Sequence, residues 1–203
     1  MAADAGITER VYATLRESIL NGSLRAREHL DIETLAKRLQ ASATPVRHAL
    51  AVLTVENLVK LTPGKGYSVA FWSERELSVL YLWRGQLAAL ATAAYDVRPL
   101  PSNLNKRPYA EALSSIFTHV EAGCHGELGR AIAATDARLT LARAAEPEVL
   151  ERVGAHVNDL IGASQQSRAK LQAALRRHFR TRVREAGRIR ARAALAALPR
   201  NDE

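Results

Sequence analysis

The fold is decided by residues 31–60, which read DIETLAKRLQ ASATPVRHAL AVLTVENLVK. Apolar residues recur at helical spacing over 32–39 and again over 43–57, so this stretch predicts two helices. Ser42 directly precedes the second helix, where its hydroxyl can cap the free N–H groups. Only Gln40-Ala41-Ser42 separates the two patterns. That spacing predicts a helix-turn-helix.

The flanking sequence completes a small α+β unit. A third helical pattern precedes the motif over about 8–20, with its apolar residues four apart. After the motif, residues 58–61 and 67–70 alternate apolar and polar side chains, as half-buried strands do. They flank Thr62-Pro63-Gly64-Lys65-Gly66, which is typical of a turn. Three helices followed by a β-hairpin predict a winged helix-turn-helix.

The rest of the chain is helical in pattern. Ser73-Glu74-Arg75-Glu76 is typical of a capping box that begins a long helix, and the three prolines within 98–108 predict a loop. Further helices are expected over 113–121, 128–145, 147–161, 168–185 and 188–198. The predicted fold class is therefore mainly α. A winged helix-turn-helix over 1–72 is followed by an all-α antiparallel helical bundle over 73–203.

Composition excludes several classes of protein. Of the 203 residues, 47% are apolar and one is cysteine, which excludes a disulfide framework. The N-terminus lacks a signal-peptide pattern, and no apolar run approaches the roughly 18 residues that a membrane helix needs. We therefore expect a soluble, cytoplasmic protein without a membrane partner. The net charge is +8, and residues 166–203 alone hold 11 basic and 3 acidic side chains.

The second helix of the helix-turn-helix has two distinct faces. Val46, Leu50 and Leu53 share one face and are expected to pack inward. The outward face is predicted to carry Thr44, Arg47, His48 and Ala51. Hydroxyl, guanidinium and imidazole groups near a helix N-terminus suit the major groove of DNA, while Lys65 in the wing suits phosphate or the minor groove. The alternative is a solvated helix face beside an ordinary hairpin.

Several short motifs resemble one family in the same order. They are VYATLRESILNG at 11–22, LAKRL at 35–39, SATPVRHAL at 42–50, LV at 58–59 and PGKGY at 63–67. Residues 7–70 thus resemble the DNA-binding head of GntR-type bacterial transcription regulators, and the helical remainder resembles the FCD effector domain that follows such heads. The resemblance implies DNA contacts at Arg38, Ser42, Thr44, Arg47, His48, Lys65, Gly66 and Tyr67.

The head departs from the family pattern in two places. Ala43 stands where the family usually has an arginine at the start of the recognition helix, so we expect an altered or weaker sequence preference. Ala26-Arg27 replaces the usual Pro-Gly before the second helix of the head, and Arg27 is a candidate for a phosphate contact instead.

The resemblance also implies a site inside the helical domain. Many such domains hold a divalent metal with one Asp and three His; here Asp136 and His178 match, whereas Thr140 stands at the first His position. The third His would fall near Pro199 or Arg200. Two ligands bind metal weakly, so we expect no cofactor and at most a degraded metal site. His156 or His119 could substitute, although their spacing does not argue for it.

An effector site is expected in the same place. The candidate effector-binding residues are Arg84, Asp136, Thr140 and His178. An alternative is that Asp136 and His178 line a polar pocket or pair with nearby arginines such as Arg84. Cys124-His125 is a weak candidate for catalysis, because adjacent residues point apart and no carboxylate orients them.

The basic C-terminal helices allow three interpretations. Arg176, Arg177, Arg180, Arg184 and Arg188 recur at roughly helical spacing opposite a stripe of Leu171, Leu175, Phe179 and Val183. The stripe can be a core or dimer surface with a solvated basic face. The arginines can instead form a second DNA-contacting surface, or clamp an acidic effector.

These observations lead to one functional hypothesis and two alternatives. The chain is expected to be a homodimeric transcription regulator, a repressor by resemblance, that binds a palindromic operator in double-stranded DNA. A small organic acid in the helical bundle is expected to control its DNA affinity. The alternatives are a DNA-binding protein whose helical domain serves only dimerisation, and a small helical enzyme. No triad, metal cluster or phosphate loop in the sequence supports an enzyme.

Overall fold

The computed structural model describes residues 2–196 and is mainly helical, with one small sheet. Contacts divide the chain into two compact units, whose described parts fall within Met1–Phe71 with Ala194–Glu203 and within Trp72–Ala193. We call the first the head and the second the helical unit. In the described residues, no helix is both long enough and apolar enough to cross a membrane.

The head contains three helices and a three-stranded antiparallel sheet. The helices are α1 (Ala2–Leu20), α2 (Ile32–Leu39) and α3 (Ala43–Val55); the strands are β1 (His29–Leu30), β2 (Val59–Thr62) and β3 (Gly66–Val69). The strand order is β1-β3-β2, and Leu61 and Leu30 both pair with Tyr67. The winged helix-turn-helix prediction is confirmed. The sequence predicted only the two strands of the hairpin. The additional strand, β1, was not predicted because a strand of two residues is too short to show an alternating pattern.

Apolar residues at helical spacing hold the head together. Val11, Leu15 and Ile19 of α1 are buried, as are Val46 and Leu50 of α3. Burial of a Val, Leu or Ile side chain contributes about 1.5–3 kcal/mol, so these stripes fix the packing of α1 on α3. Substitution of one of them by Ala would leave a cavity in this small core.

The start of α3 differs from the prediction. Ser42 occupies the N-cap position, but its side chain makes no capping hydrogen bond. The third residue of α3 is Pro45, which has no N–H to donate at the position where an N-cap side chain usually accepts. By contrast, Asp31 caps α2 by accepting a hydrogen bond from the Thr34 N–H at 2.8 Å.

The helical unit contains five complete helices and most of a sixth. They are α4 (Glu74–Ala94), α5 (Tyr109–Val120), α6 (Gly126–Ala145), α7 (Val153–Gln166), α8 (Arg168–Arg184) and α9 (Ala186–Ala196), of which residues 194–196 are assigned to the other unit. The capping box before α4 is confirmed, since Ser73 accepts from the Glu76 N–H and the Glu76 carboxylate accepts from the Ser73 N–H. The expected end of the last helix, at 198, lies outside the described residues.

The boundaries of α5 and α7 differ from the sequence prediction by four residues or more, and α7 ends at Gln166 where the pattern predicted 161. The loop expected over 98–108 contains a 3-10 turn, Ser102–Lys106, and α5 begins four residues earlier than predicted. The helix expected from Pro147 begins at Val153, after a separate 3-10 turn, Glu146–Glu148. Arg152 has a φ of 52°, which lies outside the α-helical region, so the helix cannot extend back through this residue to Pro147.

The basic helix α8 buries its apolar stripe and exposes most of its arginines. Leu171, Leu175 and Phe179 are buried, and Val183, the last member of the predicted stripe, is partly buried. Several arginines pair with neighbouring carboxylates on the surface: Arg177 with Asp159, and Arg184 and Arg188 with Glu185. This arrangement favours the first interpretation of the basic helix, in which a core stripe is backed by a solvated basic face.

Candidate functional site

The face of α3 opposite the core is open to solvent. Thr44, Arg47, His48 and Ala51 are all exposed there, whereas Val46, Ala49, Leu50 and Leu53 are buried. The exposed set is the one that the sequence predicts for base contacts. A helix that presents these groups in its first two turns can place them against base edges in a major groove.

The turn between α2 and α3 is closed by backbone hydrogen bonds. Gln40 has a φ of 50° and donates its N–H toward Lys37, and the Ala41 N–H donates to the Ala36 carbonyl at 3.0 Å. Arg38, in the last turn of α2, and Ser42 are both exposed beside this turn. The two residues therefore lie at the edge of the face that α3 presents.

A lysine, Lys65, lies at the tip of the wing, the hairpin formed by β2 and β3. Lys65 is exposed between Gly64 (φ 74°) and Gly66 (φ 76°), and its N–H donates to the Thr62 carbonyl at 3.0 Å. A Cβ on Gly66 would lie 3.2 Å from the His29 ring, so a side chain there meets both steric and backbone strain. Tyr67 is partly buried.

Polar contacts that the sequence did not predict tie α1 to the end of α3. Tyr12 donates its hydroxyl to the Glu56 carboxylate, and Arg16 lies 3.3 Å from the same carboxylate. Burial and the neighbouring carboxylate raise the pKa of Tyr12, which keeps the phenol protonated as a donor. Arg27, a candidate phosphate contact, lies over the Phe71 ring at 4.9 Å.

Two of the four predicted effector residues, Arg84 and Asp136, belong to an internal ion cluster in the helical unit. We call it the Asp136 cluster; its other members, Glu121 and Arg143, were not predicted. Arg84 is fully buried and donates from Nε and Nη2 to the two Asp136 oxygens at 2.6 and 3.2 Å. Its Nη2 also lies 2.7 Å from Glu121 Oε1. Arg143 Nη2 donates to Asp136 Oδ1 as well, at 2.5 Å. The alternative in which Asp136 pairs with Arg84 is therefore the arrangement found.

The Phe117 ring lies against both arginines of the Asp136 cluster. The guanidinium carbons of Arg84 and Arg143 lie 4.6 and 5.4 Å from the centre of the Phe117 ring. Burial raises the pKa of the Asp136 carboxyl, but the two arginines outweigh burial and lower it overall. Burial is the largest influence on Glu121 and raises the pKa of its carboxyl. The cluster thus holds charge in a largely apolar setting.

The other candidate metal ligands do not gather around Asp136. Thr140 donates its hydroxyl to the Asp136 backbone carbonyl at 3.1 Å, and the partly buried His119 contacts the Arg98 carbonyl. The described residues contain no group of three or more His, Cys, Asp or Glu side chains placed to hold a metal ion. The third predicted ligand position, 199–200, lies outside the described residues.

His178 is buried among aromatic rings. Its ring centre lies 5.6 Å from that of Phe117 and 5.0 Å from that of Phe179. Burial, reinforced by the positive charges of Arg182, Arg143 and Arg84 and by His156, holds the pKa of His178 well below its usual 6.5. The imidazole is therefore neutral at physiological pH.

His178 makes stability depend on pH. As the pH falls below about 6.5, His178 is protonated in the unfolded chain but stays neutral in the folded one. The free energy of unfolding therefore falls by up to about 1.4 kcal/mol for each pH unit of acidification. His178→Phe, which suits the aromatic setting, is expected to reduce that acid slope. Urea denaturation of both proteins between pH 7 and pH 5 checks this; identical slopes would contradict it.

A second buried cluster was missed by the sequence analysis. Glu146 accepts hydrogen bonds from the Tyr81 and Tyr109 hydroxyls at 2.7 and 2.6 Å and from Arg182 Nε at 3.0 Å. Arg182 also donates to the His178 carbonyl at 2.8 Å. Burial raises the pKa of both tyrosines. One available signal was the spacing of Arg182 from His178 and Phe179, which places it on the buried face of α8.

Comparison with known proteins finds similarity that is concentrated in the head. Residues 7–69 match the model of the family described as bacterial regulatory proteins, gntR family. A repressor from Escherichia coli K12, the HTH-type transcriptional repressor GlaR, is 34% identical over 79 residues, which are 39% of this chain and 36% of that protein. The uncharacterized HTH-type transcriptional regulator YdhC of Bacillus subtilis 168 is 29% identical over 80 residues, with the same shares.

This chain matches only about a third of the length of the two curated relatives. The similarity to solved structures extends over nearly the whole chain. A GntR transcriptional regulator from Rhodococcus sp. RHA1 has a TM-score of 0.71 and 16% identity, covering 95% of this chain and 99% of that one. E. coli McbR/YncC has a TM-score of 0.64 and 17% identity, covering 90% and 97%. At these identities the likeness shows the fold. The two curated relatives and the Rhodococcus protein are described as regulators rather than enzymes, as the sequence predicts for this chain.

Proposed function

We propose that the chain is a transcription regulator that binds double-stranded DNA through the head. The observation that carries the proposal is the solvent-exposed face of α3, with Thr44, Arg47 and His48, in a domain that also exposes Lys65 at the wing tip. The gntR-family match over residues 7–69 supports it. Binding to chromosomal DNA implies a cytoplasmic location in a bacterium. Residues 1–72 would form the DNA-binding domain and 73–203 the regulatory domain.

The exposed residues divide into two kinds of contact. Arg47 is suited to bidentate hydrogen bonds with guanine, worth about 1–3 kcal/mol of discrimination, and Thr44 and His48 to neighbouring base edges. Arg38, Ser42, Lys65, Gly66 and Tyr67 are suited to positioning on the phosphate backbone, which carries no sequence information directly. The side chain of Ala43 cannot form a hydrogen bond with a base. The preference for particular DNA sequences is therefore expected to depend more strongly on Arg47.

A salt titration tests the role of the wing. Lys65→Ala removes one phosphate contact, so the slope of log affinity against log salt concentration is expected to decrease by about 1 for each bound head. Affinity should fall by a similar factor for every DNA sequence. Lys106→Ala removes an equally exposed lysine from the helical unit and is the matched control. Equal slopes for wild type and Lys65→Ala would contradict a wing contact.

The functional unit is proposed to be a homodimer on a palindromic operator. One recognition helix contacts only a few base pairs, and a two-fold dimer doubles the site and relates its halves by symmetry. Repression is the proposed outcome; the similar E. coli protein is named a repressor.

The helical unit is proposed to act as an FCD-type effector domain that binds a small organic acid. The support is chemical: Arg84 and Arg143 place two guanidinium groups beside the Phe117 ring, and guanidinium pairs bidentately with carboxylate. Asp136 and Arg143 keep partial exposure, with 27% and 19% of their side chains accessible. An acid that replaced Asp136 on Arg143 would shift the protein between two states of different DNA affinity.

The same cluster supports a second candidate function. Asp136 and Glu121 already supply two carboxylates for the two arginines, so a helical domain used only for dimerisation needs no ligand to satisfy them. A thermal-shift screen of small carboxylic acids separates the two candidates. A ligand at 100 times its dissociation constant adds about 2.7 kcal/mol of stability and raises the melting temperature. No shift with any acid would favour the dimerisation role.

A further inference from the structure

A cleft of about 550 Å³ opens on the helical unit, where the segment before α7 and the first turn of that helix face the end of α8 and the start of α9. We call it the α7 cleft. Its lining comes from within residues 149–156 and 181–188, and it shares no residue with the Asp136 cluster. Small-molecule sites in proteins usually enclose about 300–1,000 Å³, so the α7 cleft has room for a ligand.

Three arginines from two sides line the α7 cleft. Arg152 directly precedes α7, whereas Arg184 ends α8 and Arg188 lies in the first turn of α9. All three are exposed. Two glutamates, Glu151 and Glu185, also line the cleft, so its arginines outnumber its carboxylates by one. An anion that enters the cleft therefore meets a net positive charge.

The arginines keep free donors although Glu185 pairs with two of them. Within the described chain, Arg184 donates only from Nε to Glu185 and Arg188 only from Nη1, each at 3.0 Å. A guanidinium group has five N–H donors, so most of those on each arginine stay available. Arg152 has no ion-pair partner among the residues that the structure describes. The α7 cleft can therefore bind an anion without breaking an existing ion pair.

The backbone of Arg152 adopts a conformation that favours glycine. Its φ is 52° and its ψ is 44°, in the left-handed region. The Arg152 carbonyl accepts a hydrogen bond from the Ala155 N–H at 2.8 Å, which holds the turn in place. Long side chains are uncommon in this region, and such strain concentrates at binding sites and other functional positions. An arginine present here at a cost in backbone strain supports a role for its side chain.

The chemistry of the α7 cleft favours phosphate as the anion. Guanidinium pairs bidentately with phosphate, whose oxygens project in several directions and can accept from arginines on both sides of the cleft. The cleft is larger than a phosphate ion, and His156 and Thr181 line the remaining space with hydrogen-bonding groups. Burial, and then the charge of Arg182, lowers the pKa of His156, so its ring adds hydrogen-bonding capacity without charge. A molecule with hydroxyl groups suits this wall.

We infer that the α7 cleft binds a small hydroxylated phosphate monoester, with Arg152, Arg184 and Arg188 as the residues that contact its phosphate group. The cleft is a second ligand site on the helical unit, separate from the carboxylic-acid site proposed at the Asp136 cluster. Every residue that carries the inference lies in the helical unit, so it does not depend on DNA binding by the head.

The experiment measures the dissociation constants of inorganic phosphate and glycerol phosphate for the full chain by phosphorus NMR titration at constant ionic strength. Arg152→Gly and Arg188→Gln each remove one guanidinium group and are each expected to raise both constants about fivefold or more, because hydrogen bonds between charged groups are the strong ones. Arg180→Ala is the matched control, since it removes an exposed arginine of α8 outside the cleft. Glycerol phosphate should bind more tightly than inorganic phosphate.

A stability measurement separates a binding role from a structural one. Without phosphate, Arg152→Gly is expected to leave the urea midpoint of unfolding unchanged or to raise it, because glycine adopts a φ near 52° without strain. Weaker phosphate binding by a variant of undiminished stability cannot come from local unfolding. If Arg152→Gly is less stable than wild type, Arg188→Gln decides the outcome, because it changes an exposed side chain.

Several results would overturn the inference. They are a wild type that binds neither probe, equal constants for the wild type and both cleft variants, and a larger loss with Arg180→Ala than with the cleft variants. A loss confined to Arg47→Ala would place the phosphate on the DNA-contacting face of α3 and would overturn it as well. Glycerol phosphate that binds no more tightly than inorganic phosphate would overturn the assignment of a phosphate ester.

Discussion

Replacing Glu146 with Ala is expected to lower the free energy of unfolding by about 3–5 kcal/mol, because it leaves the charge of Arg182 buried without a counter-ion. Both side chains of this pair are only 1% exposed. The two tyrosine hydroxyls that donate to Glu146 lose their acceptor at the same time. Four elements meet at this carboxylate, namely α4, α5, α8 and the 3-10 turn Glu146–Glu148. The loss should therefore affect the whole helical unit.

The adjacent surface pair supplies the control for this prediction. Glu148 lies two residues away and pairs with Arg192, with 53% and 33% of the two side chains exposed. Exposed pairs contribute about 0–1 kcal/mol, so Glu148→Ala is expected to change stability by no more than that. Urea denaturation near neutral pH measures both variants. Similar losses for the two substitutions would contradict the importance assigned to the buried cluster.

Replacing Asp136 with Ala is expected to cost about 2–3 kcal/mol, below the 3–5 kcal/mol of a fully enclosed pair. The loss is smaller because Glu121 remains beside Arg84, and because Asp136 keeps some contact with solvent. The substitution leaves a space lined by two guanidinium groups. Formate or acetate should fill that space, so either salt is expected to restore part of the lost melting temperature, more than chloride at equal ionic strength.

A matched surface carboxylate distinguishes this rescue from a general salt effect. Asp159 pairs with Arg177, with 45% and 58% of the two side chains exposed, so Asp159→Ala should be nearly neutral and insensitive to formate. If formate and chloride stabilise Asp136→Ala equally, the Asp136 cluster does not select carboxylates, and the effector proposal loses its chemical support.

The head could be predicted from sequence because its determinants are local. The apolar stripes of α1 and α3, the short turn after Gln40 and the glycines of the wing each act within a few residues. The two features that were missed or wrong depend on finer geometry. β1 forms only because β3 lies beside it, and Ser42 fails to cap because Pro45 supplies no N–H.

The helical unit could be predicted only in part from the sequence. Arg84 and Asp136 were correctly weighed as an ion pair inside the helical domain, and Arg84 is fully buried there. Glu146 and Arg182 were missed, because charged residues are ordinarily assigned to the surface and only tertiary partners reveal a buried pair. The α7 boundary was wrong because Pro147 is typical of both an α-helix start and a 3-10 turn.

The central claim is that α3 reads DNA sequence, and selection from a pool of random duplexes by the intact protein tests it most directly. The wild type should enrich a two-fold-symmetric site. Arg47→Ala should lose that enrichment, while Arg98→Ala, which removes an exposed arginine of the helical unit, should keep it. Selection is best run at two salt concentrations, since backbone binding alone weakens steeply with salt. Enrichment of the same site by wild type and Arg47→Ala, or no binding by any of the three proteins, would contradict the claim.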